Sequence, residues 1–165
     1  MIGFQPREIM DLADIIVPSQ VICDATASTK EQLLRELALR AASLVHLDPL
    51  AIEAALLARE DLGSTGLGEG FALPHARLEE LDRMFSLFAR LSQPVQFDAA
   101  DGKPVDLIFL MLIPVTAGGE QLAALAAVCR RLRDQDFAAR LREAPDVHAL
   151  TGLLCGSEPR EPSPR

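Results

Sequence analysis

Neither tryptophan nor tyrosine occurs in this 165-residue chain, and phenylalanine appears seven times. Stacking of bases or sugar rings on aromatic platforms is therefore not the expected mode of binding. Basic residues are the minority charge, 16 against 24 acidic, for a formal net charge of −8. That balance excludes nucleic acid as the expected partner, since phosphate backbones are met by a basic footprint. It also argues against an anionic membrane surface. Cysteine is scarce: Cys23, Cys129 and Cys155 are odd in number, far apart, and show no CxxC or Cys/His zinc spacing. They are expected as small buried hydrophobes in a reducing compartment. No apolar run has the length of a transmembrane helix, and the longest clean one, Leu107–Ile113, is strand-sized. The start MIGFQPREIM has neither the basic beginning nor the apolar run of a signal peptide. A cytoplasmic location without direct membrane insertion is the expectation.

What is present is core material. Apolar residues make up 49% of the chain, enough for one domain over residues 1–156, with the polar Pro/Ser segment 157–165 expected to be a disordered tail. The apolar patch Ile9 to Val17 is expected to pack on the outside of that domain, with a short strand following at Gln20–Cys23. Ser28 and Glu31 have capping-box spacing and precede an i, i+3, i+4 stripe through Leu33, Leu34, Leu37, Ala38, Ala41, Leu44 and Val45. Asp48-Pro49 opens a second helix that runs to about Glu60, with Gly63 expected just past its end. Phe71–Pro74 reads as a short strand. In Phe85–Leu91 the residues alternate, with Phe88 on the second face, and Leu107–Pro114 reads as a central strand buried on both faces. Three helices follow: Glu120–Leu132, with a stripe of Leu122, Leu125, Ala126, Cys129 and Leu132; Asp134–Glu143; and one opened by Pro145-Asp146. His46 and His148 are expected to be structural or exposed. Strands mixed with helices in irregular alternation predict an α/β domain, a three-layer α/β/α sandwich around a mixed sheet.

The chemistry centres on Arg59–Arg77, REDLGSTGLGEGFALPHAR. Glycines at 63, 66, 68 and 70 imply close backbone approach or repeated positive φ, and they lead to His75 directly after Pro74. A plain flexible loop followed by a buried histidine is one reading. A P-loop would need G-K-[ST], and this loop has no lysine. A dinucleotide fingerprint needs strand, glycines, helix, whereas the order here is helix, glycines, strand. No G-x-S-x-G nucleophile elbow occurs, and a lone histidine cannot hold a metal. The remaining chemistry is the imidazole of His75 as nucleophile. Such a site needs one ring nitrogen free, the other donating to an acceptor, and cationic and N–H donors for a phosphoryl group. Arg59 can supply the charge. Ser64, Thr65 and Gly66, together with the start of the helix at Gly118-Gly119, can supply donors.

RE-x-LGSTGLG-x-G-x-ALPHA over residues 59–76 resembles the signature of phosphotransferase-system enzyme IIA domains of the fructose–mannitol class, type 2, and is most like the nitrogen-regulatory branch. The resemblance extends over roughly residues 11–155. It implies that His75 accepts a phosphoryl group, on Nε2, from the phosphohistidine of a small HPr/NPr-type carrier protein. It matches Arg59 to the arginine beside the phosphohistidine, and Ser64 and Thr65 to loop residues near it. No cofactor and no metal are implied. The family usually carries a second histidine at the start of the helix after the long strand, and here the pair reads Gln121-Leu122. A glutamine can still donate to phosphate but carries no charge. The function implied is a regulatory phosphocarrier whose phosphorylation state governs cytoplasmic targets, such as a potassium transporter or a sensor kinase. Two alternatives stay open: a sugar-transport IIA subunit passing phosphate to a IIB domain, and a binding module that keeps the fold without phosphotransfer.

Overall fold

The longest apolar run of the sequence becomes the centre of the sheet. In the computed structural model, which describes residues 10–156, the elements run β1 (Val21–Ala25), α1 (Lys30–Val45), α2 (Pro49–Asp61), β2 (Gly66–Gly68), β3 (Phe71–Ala72), β4 (His75–Leu78), β5 (Phe85–Val95), β6 (Val105–Pro114), α3 (Glu120–Leu132), α4 (Gln135–Glu143) and α5 (Val147–Cys155). The tail expected over 157–165 lies outside the described residues. β5 pairs antiparallel with one edge of β6, and β1 pairs parallel with β5. The other edge of β6 is shared. β3 runs parallel to its first half, with Phe71 opposite Leu107, and β4 runs parallel to its second half, with His75 opposite Met111. β2 joins β3 antiparallel, completing a six-stranded mixed sheet.

Successive side chains of a strand point to opposite faces, and β6 divides accordingly. Ile108, Leu110 and Leu112 join the core under α1 and α2, while Leu107, Phe109 and Met111 join the core under α3, α4 and α5. β5 follows the expected alternation: Phe85, Leu87, Ala89 and Leu91 face α1 and α2, and Phe88 faces the other way. There Phe88 meets Phe109 edge-on, with ring centroids 6.4 Å apart. Helices on both faces of a mixed sheet make the three-layer α/β/α sandwich.

Several local expectations need correction. The cap of α1 is Thr29, whose hydroxyl accepts from the Gln32 amide, while Gln32 Oε1 takes the Ser28 amide. The capping pair therefore sits one residue later than the Ser28/Glu31 spacing suggested. Asp48 and Pro49 open α2 as expected. Ile9 lies outside the described residues, and residues 10–17 do not simply coat the outside, because Leu12 and Ile16 are 2% and 1% exposed within the second core. α3 is rotated by one residue from the expected stripe. It buries Gln121, Ala124, Ala127, Val128 and Leu132, and leaves Leu122 65% exposed. The buried face carries alanines at 124 and 127, in one core cluster with Phe109 and Met111, and one residue is a rotation of about 100°. The segment HARL, unassigned from sequence, is strand β4.

Candidate functional site

His75 is the first residue of β4, and its direction follows from the pleat. Ala76 and Leu78 pack in the core on the α1 and α2 side, so the His75 ring lies on the opposite face, the face of α3. Its register partner Met111 pairs in turn with Ser86 of β5, so His75, Met111 and Ser86 form one row across the sheet. The ring is partly exposed. Nδ1 lies 2.9 Å from the carbonyl oxygen of Leu73. A carbonyl only accepts, so Nδ1 carries the hydrogen, and in the neutral ring Nε2 holds the lone pair. Proline at 74 holds φ between the two bonded residues.

The glycine-rich stretch is not an open loop. Gly66–Gly68 and Phe71–Ala72 form a short antiparallel hairpin against the sheet. At Gly66 a Cβ would stand 2.8 Å from the Ala99 Cβ, and at Gly70, with φ +80°, it would stand 2.5 Å from Arg142 Nη2. These glycines allow close approach to the protein's own segments. The hairpin is pinned to the strand before His75, since the Leu73 amide donates to the Thr65 carbonyl at 3.0 Å.

Arg59 lies in the last turn of α2, where its Nη1 donates to the Gly63 carbonyl at 2.9 Å. No carboxylate among the described residues pairs with its guanidinium, which leaves further donors of the fork uncommitted. Ser64 and Thr65 are turned inward. Ser64 Oγ donates to the Phe97 carbonyl at 2.8 Å and accepts the Gly66 amide at 3.0 Å. The Thr65 amide and hydroxyl both donate to the Glu60 carboxylate. The hydroxyls of Ser64 and Thr65 and the amides of Thr65 and Gly66 are thus spent within the protein. Gln121 is buried at 9% exposure in the first turn of α3, and its Oε1 has no hydrogen-bond partner. The N-cap of α3, Gly119, gives no side-chain cap to the first-turn amides. Gln121 and these amides belong to the helical layer that the His75 ring faces.

Sequence reasoning missed the buried polar group behind the hairpin. Glu60, 8% exposed, pairs with Lys30 at 2.7 Å, and Lys30 also donates to the Phe97 carbonyl at 3.2 Å. A signal existed: Ile52, Leu56 and Glu60 fall at i, i+4, i+8, which places a carboxylate on the apolar stripe of α2. Ser86, 1% exposed with an unpartnered hydroxyl, was also overlooked. Among the described residues no group of three or more His, Cys, Asp or Glu could hold a metal. No helix among them is long and apolar enough to cross a membrane.

Residues 14–155 match the family model for the phosphoenolpyruvate-dependent sugar phosphotransferase system, EIIA 2, and the chain belongs to that family. Within it, several of the similar proteins are named nitrogen regulatory protein, and a fructose-specific EIIA component is among the others. The nitrogen regulatory protein of Bradyrhizobium diazoefficiens is 43% identical over 145 residues, covering 88% of this chain and 95% of the relative. That of Pseudomonas aeruginosa is 40% identical over 144 residues, covering 87% and 94%. The crystal structure of the nitrogen regulatory protein IIA-Ntr from Neisseria meningitidis superposes with a TM-score of 0.81 at 34% identity, covering 87% of this chain and 98% of that one.

Proposed function

We propose that the chain is a regulatory phosphocarrier of the nitrogen branch, working in the cytoplasm, with His75 as its phosphoryl acceptor. The observation that carries the reading is the hydrogen bond from Nδ1–H to the Leu73 carbonyl. It fixes the tautomer, so the Nε2 lone pair is available for attack. The relatives named as nitrogen regulatory proteins support the regulatory branch over sugar transport.

The phosphoryl group comes from the phosphohistidine of an HPr/NPr-type carrier. The Nε2 lone pair attacks phosphorus, a new N–P bond forms, and the carrier's N–P bond breaks with its electron pair returning to the carrier imidazole. The His75 ring becomes a phosphorylated imidazolium, and its remaining N–H stays on the Leu73 carbonyl. Donor and acceptor are both imidazoles, so the exchange is near balance and needs neither metal nor net proton transfer. Arg59 supplies cationic donors to the phosphoryl oxygens. The Gln121 amide and the uncapped amides of α3 supply neutral ones. A dianion at the rim of the site then changes which regulatory targets bind, a potassium transporter or a sensor kinase being the kind the family suggests.

The test is phosphorylation with phosphoenolpyruvate, enzyme I and an NPr-type carrier. Wild type should take up one acid-labile, base-stable phosphate, and His75→Ala none. A folded wild type that takes up no phosphate from its cognate carrier would sink the reading.

A further inference from the structure

We propose that Lys30, in the first turn of α1, is a positioning residue for the His75 imidazole. The inference rests on reading His75 as the acceptor. Lys30 Nζ stands at the centre of a closed polar ring. It pairs with Glu60 at 2.7 Å and donates to the Phe97 carbonyl at 3.2 Å, above the Phe97 ring at 4.6 Å. Glu60 takes the Thr65 amide and hydroxyl, and the Phe97 carbonyl takes the Ser64 hydroxyl as well. The peptide bond between Ser64 and Thr65 closes the ring. Two successive residues of the glycine-rich stretch are therefore each one bond away from a partner of Lys30.

The ring reaches the imidazole through a single residue. Thr65 presents its carbonyl to the Leu73 amide at 3.0 Å, and Leu73 presents its own carbonyl to His75 Nδ1 at 2.9 Å. Both faces of the Leu73 backbone are thus fixed, one by the ring and one by the histidine. If Thr65 moves, the acceptor that selects the His75 tautomer moves with it. The Lys30 and Glu60 side chains are only 14% and 4% exposed. A pair so desolvated adds little net stability compared with apolar residues of the same shape. What it does supply is direction: a carboxylate held by ammonium on one side can accept two donors from Thr65 on the other. Misplacing a reacting group by about 1 Å can cost on the order of a hundredfold in rate.

The experiment is ¹⁵N NMR of the imidazole, with phosphorylation kinetics alongside. Wild type should show His75 as the Nδ1–H tautomer. Lys30→Met should move the ring toward a mixture of tautomers and lower the phosphorylation rate about tenfold or more at saturating carrier, with the carrier KM unchanged. Lys30→Arg, which keeps a buried cation and donor, should restore the Nδ1–H signal. A merely structural lysine would lower the unfolding midpoint and leave the imidazole signal where it was, so a folded Lys30→Met with the wild-type His75 spectrum overturns the proposal. If Lys30→Met does not fold, the neutral pair Lys30→Met/Glu60→Gln is read in its place. The same tautomer shift supports the proposal there, and an unchanged ring overturns it. Should wild type take up no phosphate while the variants still shift the ring, the acceptor reading fails and the hold of Lys30 on the imidazole stands. Phosphate uptake with an unmoved ring removes Lys30 alone.

Discussion

A carbonyl two residues upstream decides what His75 can do. Because the Leu73 oxygen only accepts, the neutral imidazole carries its proton on Nδ1 and its lone pair on Nε2, the atom proposed to accept phosphate. On the same side of the sheet are two unsatisfied atoms, Ser86 Oγ on β5 and Gln121 Oε1 on α3. A buried polar atom without a partner costs about 1–3 kcal/mol in desolvation. Ser86→Ala should therefore stabilise the fold by about 1 kcal/mol, seen as a higher urea midpoint with an unchanged slope. A lower midpoint would mean instead that an ordered water holds the hydroxyl. At this scale the histidine stands out in the sequence as a candidate, since the loop matches neither a P-loop, a dinucleotide fingerprint nor a nucleophile elbow, and its role as acceptor is what the phosphorylation assay tests. The inward turn of Ser64 and Thr65 was not legible, because their acceptors, Phe97 and Glu60, become neighbours only on folding.

Among the elements, the glycine hairpin and the turn before β6 lock together through Asp101. Its carboxylate accepts the Glu69 amide at 2.9 Å and the Lys103 amide at 3.1 Å. These two backbone bonds, the Glu69 one foremost, hold its pKa below the ordinary value of 3.8. A carboxylate depressed by folding contributes stability above its unfolded pKa and loses that contribution as pH falls through the folded value. Wild type should therefore be more stable than Asp101→Ala at pH 5, and the gap should close as the pH falls well below about 3.8. Urea titrations of both proteins across that range test it, and a gap independent of pH would refute the carboxylate's role. The long apolar β6 and the capped α2 could be read from sequence because each carries its own signal. β4 could not, since HARL has no strand pattern and owes its form to pairing with β6, where the Met111 amide reaches the Pro74 carbonyl at 2.9 Å. The face of α3 differs because leucine hydrophobicity favours Leu122 in the sequence, whereas the fold buries Ala124, Ala127 and Val128.

Over the whole molecule, the misjudged leucine has a consequence. Leu122 belongs with Leu62, Leu67 and Val115, which are 65%, 84%, 36% and 44% exposed. Leu62 ends α2 beside Arg59, Leu67 lies in the glycine hairpin, Val115 follows β6, and Leu122 is in the first turn of α3. These residues lie in or directly beside α2, the glycine hairpin, β6 and α3, the elements that carry the candidate site residues. Exposed apolar side chains on those elements fit a partner that docks by hydrophobic contact and then exchanges its phosphoryl group with the proposed acceptor. With a net charge of −8, the chain would attract any basic partner at long range, but such attraction is screened over about 10 Å at 0.1 M salt. Hydrophobic contact is not. Leu62→Ser and Leu122→Ser should each raise the carrier KM about tenfold, in line with losing one apolar anchor. Turnover at saturating carrier and the His75 tautomer should both stay at wild-type values. The rise should persist at 0.5 M salt, where a purely electrostatic interface would already have lost its affinity. Both leucines can be serine at little cost to the fold, because their side chains already face water. A KM that stays at the wild-type value in both variants would place the docking surface elsewhere on the molecule.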